Sequence, residues 1–246
     1  TTLKWIVELM TPEEQAALGA DGDRYHRVNY DGIGTIADPA FEQMEIINAV
    51  SPIKSVLEIG CTTGFRLEKA RKAFGARGSG LDASQSAIAE GKGLYPDLDI
   101  RSGIAPEDLD FWSGSTFDTI VVGHLLYLLP RTSLFLLAAK VDSLLSEGGH
   151  LIVIDFIAHI DTVSRYRHQE SLQVFKGDPS APWSWHPQYF LVHRNVYPLS
   201  TEPLTQRETN QWQSIDVLRK LSVDQAFQSV SPPASVHDSA RSTESS

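Results

Sequence analysis

The sequence holds a single cysteine, Cys61. One cysteine excludes an intrachain disulfide framework and any cysteine-rich zinc site. Long apolar runs are missing as well. None reaches the roughly 18 residues that a membrane-spanning helix needs. The opening TTLKWIVELMTPEEQ lacks the basic start and long apolar core of a signal peptide. Together these deficits point to a cytoplasmic location. Positive charge is also short: 21 Lys and Arg stand against 31 Asp and Glu, a formal charge of −10. An acidic surface repels phosphate backbones, so nucleic acid is not an expected partner. Large apolar residues are nearly absent from Ser229 to Ser246, which reads as a disordered tail or interdomain linker. With no initiator Met at the start, the chain also reads as a processed form or as one domain of a longer protein. Its oligomeric state is not legible.

What is present is enough for a core. Hydrophobic residues make up 41% of 246 and aromatics 9%. At roughly 100–200 residues per domain, that allows one full domain or two small ones. Thr11, Pro12 and Glu14 form a helix start with a capping box, and Gly19 offers a stop. A second helix begins at Asp38-Pro39, with Phe41, Met44, Ile47 and Val50 at helical spacing. From Ser55 strands alternate with helices. The strands are Ser55–Gly60, Arg77–Leu81, Leu98–Ser102, Phe117–Val122 and His150–Phe156. Helices follow from Gly64, from Ser84 and from about Arg131. That rhythm predicts right-handed β-α-β units and a parallel sheet buried on both faces. Ile157–Pro187 is polar, aromatic and proline-rich. Tyr189–Tyr197 and Gln211–Lys220 read as two late strands, the second with helical spacing as its alternative.

VLEIGCTTG, residues 56–64, is an apolar strand running into a glycine turn that opens a helix. Gly60 allows close backbone approach and Gly64 a tight helix entry. The loop has no lysine, which excludes a P-loop NTPase. Thr62 stands where a dinucleotide fingerprint has its second glycine, so a pyrophosphate lacks room. Asp82 ends the second strand in GSGLDAS. An acidic residue about 20 positions beyond such a loop suits a ribose diol. A ligand with a ribose and no phosphates fits these features.

VLEIGCTTGFRL, GLDAS and FDTIVVGHLLYLLP, in that order, resemble the class I S-adenosylmethionine (SAM)-dependent methyltransferases from Ser55 to Phe156. The resemblance implies an α/β, Rossmann-like fold with a mostly parallel seven-stranded sheet flanked by helices and an N-terminal helical cap. It implies SAM as cofactor, with Glu58, Gly60, Cys61, Thr63 and Gly64 around the methionine end. Asp82 would meet the ribose, with Ala83 and Ser84 beside the adenine. Gly103, Ile104 and Ala105 would form the adenine edge, with backbone or Glu107 at the amine. Gly123 and His124 would lie under the sulfonium. Tyr25, Tyr30 and the first helix would form a lid.

The flanks carry a second, looser resemblance. Gly22-Asp23-Arg24-Tyr25 with Asn29, and the islands IDF (154–156), YRH (166–168), FKGD (175–178) and DVLRK (216–220), resemble methyltransferases tied to bacterial surface sugars and nonulosonic acids. The expected organisation is a cap or lid over 1–50, a methyltransferase domain over 51–222 with a substrate segment at 157–187, and a loose tail over 223–246. The expected activity is methyl transfer to a hydroxyl of an acidic sugar or glycan terminus in surface polysaccharide biosynthesis. A natural-product O- or N-methyltransferase and an inactive SAM-fold assembly module are the alternatives. A hydroxyl acceptor needs a base. His168, then His159, with Asp155 at a strand end, are the candidates. Arg165, Tyr166, Arg167 and Lys176 are candidate substrate contacts, the cations as a clamp for an acidic group. Trp183, Trp185 and His186 are candidates to stack on a sugar ring. No metal-ligand constellation is expected; Asp155 and Asp178 alone do not make one. Cys61 suits a small packed residue better than a nucleophile.

Overall fold

The computed structural model describes residues 11–29, 38–166, 169–198 and 212–227. Two helices open it, α1 (Pro12–Asn29) and α2 (Pro39–Val50). Then come β1 (Ser55–Ile59), α3 (Phe65–Phe74), β2 (Arg77–Asp82), α4 (Gln85–Leu94) and β3 (Asp99–Ser102). A 3-10 helix (Glu107–Trp112), β4 (Phe117–Gly123), α5 (Ser133–Leu144) and β5 (Leu145–Ile157) follow. The remainder is β6 (Thr162–Tyr166), β7 (Gln169–Lys176), α6 (Ala181–Ser184), β8 (Tyr189–Pro198), β9 (Trp212–Lys220) and α7 (Val223–Ala226).

Seven strands form one sheet in the order β3-β2-β1-β4-β5-β9-β8. The first five are mutually parallel, and β9 runs antiparallel to both β5 and β8. Every residue of β1 is buried, as expected of a central strand covered on both faces. Alternate residues divide between two apolar clusters. Leu57, Ile59, Ile120, Val122, Leu151 and Val153 pack on one face with α5. Val56, Val121, Ile152 and Ile154 pack on the other with α2 and α3.

The capping box at α1 is formed: the Glu14 amide donates to Thr11 Oγ1 (3.1 Å) and the Thr11 amide to Glu14 (2.8 Å). Gly19 does not stop the helix, which runs on to Asn29. Gly22, by contrast, serves packing. A Cβ on Gly22 would stand 3.2 Å from the Ser84 amide nitrogen, so its absence lets α1 lie against the turn after β2. Asp23, one residue on, accepts from the Ser84 hydroxyl (2.6 Å) and from the Ser86 amide and hydroxyl.

The polar stretch after β5 is structured rather than irregular. It contains the antiparallel hairpin β6–β7 and the short helix α6. The helical alternative for 211–220 is excluded, because Trp212–Lys220 pairs along its length with β5 and β8. Order also extends past residue 222, where Ser222 and Gln225 form a capping box on α7. The tail from 228 onward, like Tyr30, lies outside the described residues.

Candidate functional site

A cavity of about 430 Å³ opens at the carboxyl ends of β1, β2 and β4, where ligands sit in open α/β sheets. The glycine loop forms its floor. Gly60 has φ +85°, and a Cβ there would stand 2.5 Å from the Gly123 carbonyl oxygen. Gly60 is therefore required for contact between the loop and the end of β4, beside any ligand. Thr62 (φ 50°) and His124 (φ 49°) are the two non-glycine residues with positive φ among the described residues, and both line this cavity. Such backbone persists only where its surroundings enforce it.

Two carboxylates belong to the cavity wall, Glu58 buried and Asp82 half-buried. Asp82 accepts from the amides of Thr62 (2.7 Å) and Ser84 (2.8 Å), one on each oxygen. Burial pushes its pKa up against those two hydrogen bonds. Glu58 is 1% exposed. It pairs with the Arg66 guanidinium, which also donates to Asp38 at 2.8 Å. Burial raises Glu58 to about 7, with Arg66 opposing the rise. Its second oxygen, Oε2, is buried without a hydrogen-bond partner.

His124 closes the far end. Its ring meets Gln213 at 2.9 Å and the Phe156 ring edge-on at 6.1 Å. His124 is exposed and lines the cavity. Desolvation lowers its pKa to about 4, with Arg66 contributing.

Of the residues expected around a cofactor, Glu58, Gly60, Asp82, Ala83, Ser84, Ile104, Ala105, Gly123 and His124 line the cavity. Cys61, Thr63 and Gly64 do not. Cys61 is fully buried with its sulfur against Gly80, where an added Cβ would stand 2.7 Å away, and burial pushes its thiol pKa well up. Thr63 is buried, and Gly64 N-caps α3 in the left-handed conformation. The side chain of Tyr25 lies outside the described residues. Glu107 is not among the lining residues. The cavity adds residues that motif reading missed: Arg66, Asp38, Asp21, Tyr127, Tyr197 and Gln213.

A second cavity of about 800 Å³ lies between the β6–β7 hairpin, α5 and α6. Tyr127 lines both cavities. The Tyr127 ring meets Phe156 edge-on at 4.8 Å and Tyr166 at 6.2 Å. Among the described residues, the candidate catalytic and substrate residues are not gathered here as a group. Asp155 sits at the cavity wall but is a structural acceptor, taking the amides of Leu126 (2.7 Å) and Phe156 (2.7 Å). Its burial raises it to about 7, against those backbone hydrogen bonds. His159 and Arg165 are exposed and line neither cavity. Tyr166 donates to Asp21 of α1 at 3.0 Å. Lys176 lines the second cavity with Nζ 4.3 Å from the Phe156 ring centroid. Arg167 and His168 lie outside the described residues. Trp183 is buried in the core, while Trp185 is exposed at the second cavity.

Comparison with known proteins places this geometry. Residues 56–149 match the family model of the methyltransferase domain. No curated protein matches the chain. Among solved structures, a Burkholderia thailandensis 1,6-didemethyltoxoflavin-N1-methyltransferase with bound 1,6-didemethyltoxoflavin and S-adenosylhomocysteine superposes with a TM-score of 0.63. It is 17% identical over 87% of this chain and 92% of that one. A DhpI complex with SAH gives 0.56 at 17% identity, over 86% and 99% of the two chains. The N-methyltransferase NodS from Bradyrhizobium japonicum, also with S-adenosyl-L-homocysteine, gives 0.53 at 18%, over 75% and 87%. At such identities the likeness is one of fold. The chain has the Rossmann-like fold of the class I SAM-dependent methyltransferases.

Proposed function

We propose that the protein binds SAM in the first cavity and transfers its methyl group to a small-molecule acceptor. The observation that carries this reading is the pair of carboxylates, buried Glu58 and half-buried Asp82, on one cavity floored by the Gly60 loop. The residues fit the cofactor. Glu58 Oε2 is an orphaned buried acceptor suited to the ammonium of the methionine end. Asp82, fixed by two amides, retains lone pairs for ribose hydroxyls. Ile104 and Ala105 offer apolar surface for the adenine. Bound there, the cofactor supplies a methyl group already activated by its sulfonium.

The chain's task is alignment and exclusion of water. His124, Tyr127 and Phe156 stand between the two cavities and would shape the approach of the acceptor. With a pKa of about 4, His124 is a weak proton acceptor. It suits an acceptor atom without a tightly held proton, such as a heteroaromatic nitrogen or an acidic hydroxyl.

An acidic sugar in surface polysaccharide assembly, methylated on a hydroxyl, is the second reading. Lys176 on the wall of the second cavity favours it, whereas the exposed Arg165 lends no clamp. Calorimetric titration with S-adenosylhomocysteine tests the cofactor assignment. Binding is expected, and Asp82→Ala should weaken it by about 100-fold, the loss of hydrogen bonds from the ribose to a charged group worth roughly 3 kcal/mol. Absence of any heat or thermal shift at saturating ligand would sink the proposal.

A further inference from the structure

The second cavity carries an inference of its own, resting on the methyl-transfer reading for its catalytic meaning. Phe135 on α5, Val163 on β6 and Trp185 just past α6 are 75%, 61% and 69% exposed, yet all three line this one cavity. Scattered exposed apolar residues need no explanation, but three from separate elements converging on one hollow mark a binding site. Phe156, Phe175 and Tyr127 add aromatic surface to the walls.

The fixed charges at the cavity are already engaged. Arg131 donates to the carbonyls of Leu126 and Leu129, the latter at 2.9 Å, and lies 4.6 Å from the Phe175 ring centroid. Lys176 lies over Phe156. Asp178 is paired with Arg194 at 2.7 Å, and Asp155 holds backbone amides. Asp161 adds a third carboxylate to the lining, against two cations. Among the described residues, an anionic ligand would meet three carboxylates against two cations that already have partners.

We propose that this cavity is the acceptor site and that its ligand is a flat, uncharged aromatic or heteroaromatic molecule, methylated at the edge that meets Tyr127 and Phe156. The new carbon–oxygen or carbon–nitrogen bond forms as the methyl–sulfonium bond breaks, S-adenosylhomocysteine leaves, and the proton of a hydroxyl or N–H acceptor passes to water. The hairpin β6–β7 then determines specificity, because it supplies the wall that the methyltransferase core lacks. Volume agrees: about 800 Å³ falls within the range of pockets that enclose compact organic ligands.

The test uses 1-naphthol, which is uncharged at pH 7, and glucuronate, in saturation-transfer NMR on the whole chain with S-adenosylhomocysteine present. Naphthol is expected to bind and glucuronate not. Val163→Glu and Phe135→Glu, both at exposed positions that the fold tolerates, should each weaken naphthol at least tenfold and leave S-adenosylhomocysteine binding unchanged. Labelled methyl from SAM should enter hydroxylated or nitrogen-containing aromatics in preference to sugar acids. Unchanged naphthol affinity in both variants, or preference for glucuronate in binding or turnover, overturns the inference. Cofactor binding without naphthol binding overturns it alone. Naphthol binding without cofactor binding overturns the methyl-transfer reading and the acceptor role with it.

Discussion

The Tyr166 hydroxyl donates to Asp21 across 3.0 Å, joining the hairpin beyond β5 to the helix that opens the chain. Asp21 lines the first cavity, and Tyr166 packs against Tyr127, which lines both. One hydrogen bond therefore links the covers of two cavities.

Tyr166→Phe removes that bond together with the hydroxyl's hydrogen bond to Tyr127. A hydrogen bond to a charged acceptor contributes about 1.5–3 kcal/mol, so the melting temperature should fall by roughly 4–10 °C. Hydrogen exchange should rise in both α1 and the hairpin. Faster exchange in the hairpin alone would show that the two elements are not coupled.

Glu58 and Asp155 both have folded-state pKa values of about 7, raised first by burial. A carboxylate raised above its unfolded value binds its proton more tightly in the native state. Its contribution is fully present below the unfolded pKa, near 4, and is lost as pH rises through about 7. The melting temperature of the ligand-free protein should therefore fall between pH 5 and pH 8, and Glu58→Gln should flatten part of that fall. If SAM's ammonium pairs with ionised Glu58, S-adenosylhomocysteine should stabilise the protein more at pH 8 than at pH 6. Thermal scans with and without ligand across this range give both slopes.

Arg66→Met should be far more damaging than an ordinary surface change. It strips the partner from a buried carboxylate, at a cost of about 3–5 kcal/mol. The double variant Arg66→Met with Glu58→Gln should recover much of that loss in urea unfolding. No recovery would mean that Arg66 acts through packing rather than charge.

Gly60→Ala and Gly75→Ala separate strain from collision. Both glycines have positive φ, but a Cβ at Gly75 meets nothing within 4 Å, while one at Gly60 meets the Gly123 carbonyl at 2.5 Å. Gly75→Ala should cost about 1 kcal/mol. Gly60→Ala should cost several times more and weaken ligand binding, as read by chemical denaturation and calorimetry.

The central sheet is legible in the sequence because buried parallel strands and their helices have strong periodic signals. Val56–Ile59, Phe117–Val122 and His150–Phe156 announce themselves by apolar run and flanking glycine. Asp82 is legible because its spacing from the glycine loop carries chemical meaning. The hairpin is not. Thr162–Tyr166 is exposed along most of its length, so it shows no apolar alternation. Nor is Arg66 legible as a site residue. Its role depends on Asp38, brought to it by the packing of α2 against α3, and no local pattern encodes that meeting. Gly19 misleads because α1 tolerates a glycine in its interior and runs on to Asn29.

The reversed direction of β9 has a consequence for how this protein can change. Parallel strands deliver their last residues to the ligand edge, whereas β9 delivers its first, placing Gln213 against His124. The contact at this corner of the cavity thus comes from a strand separate in sequence from the Gly60 loop and Asp82. Selection can redraw that corner, and the hairpin wall before it, without disturbing the glycine loop under the first cavity.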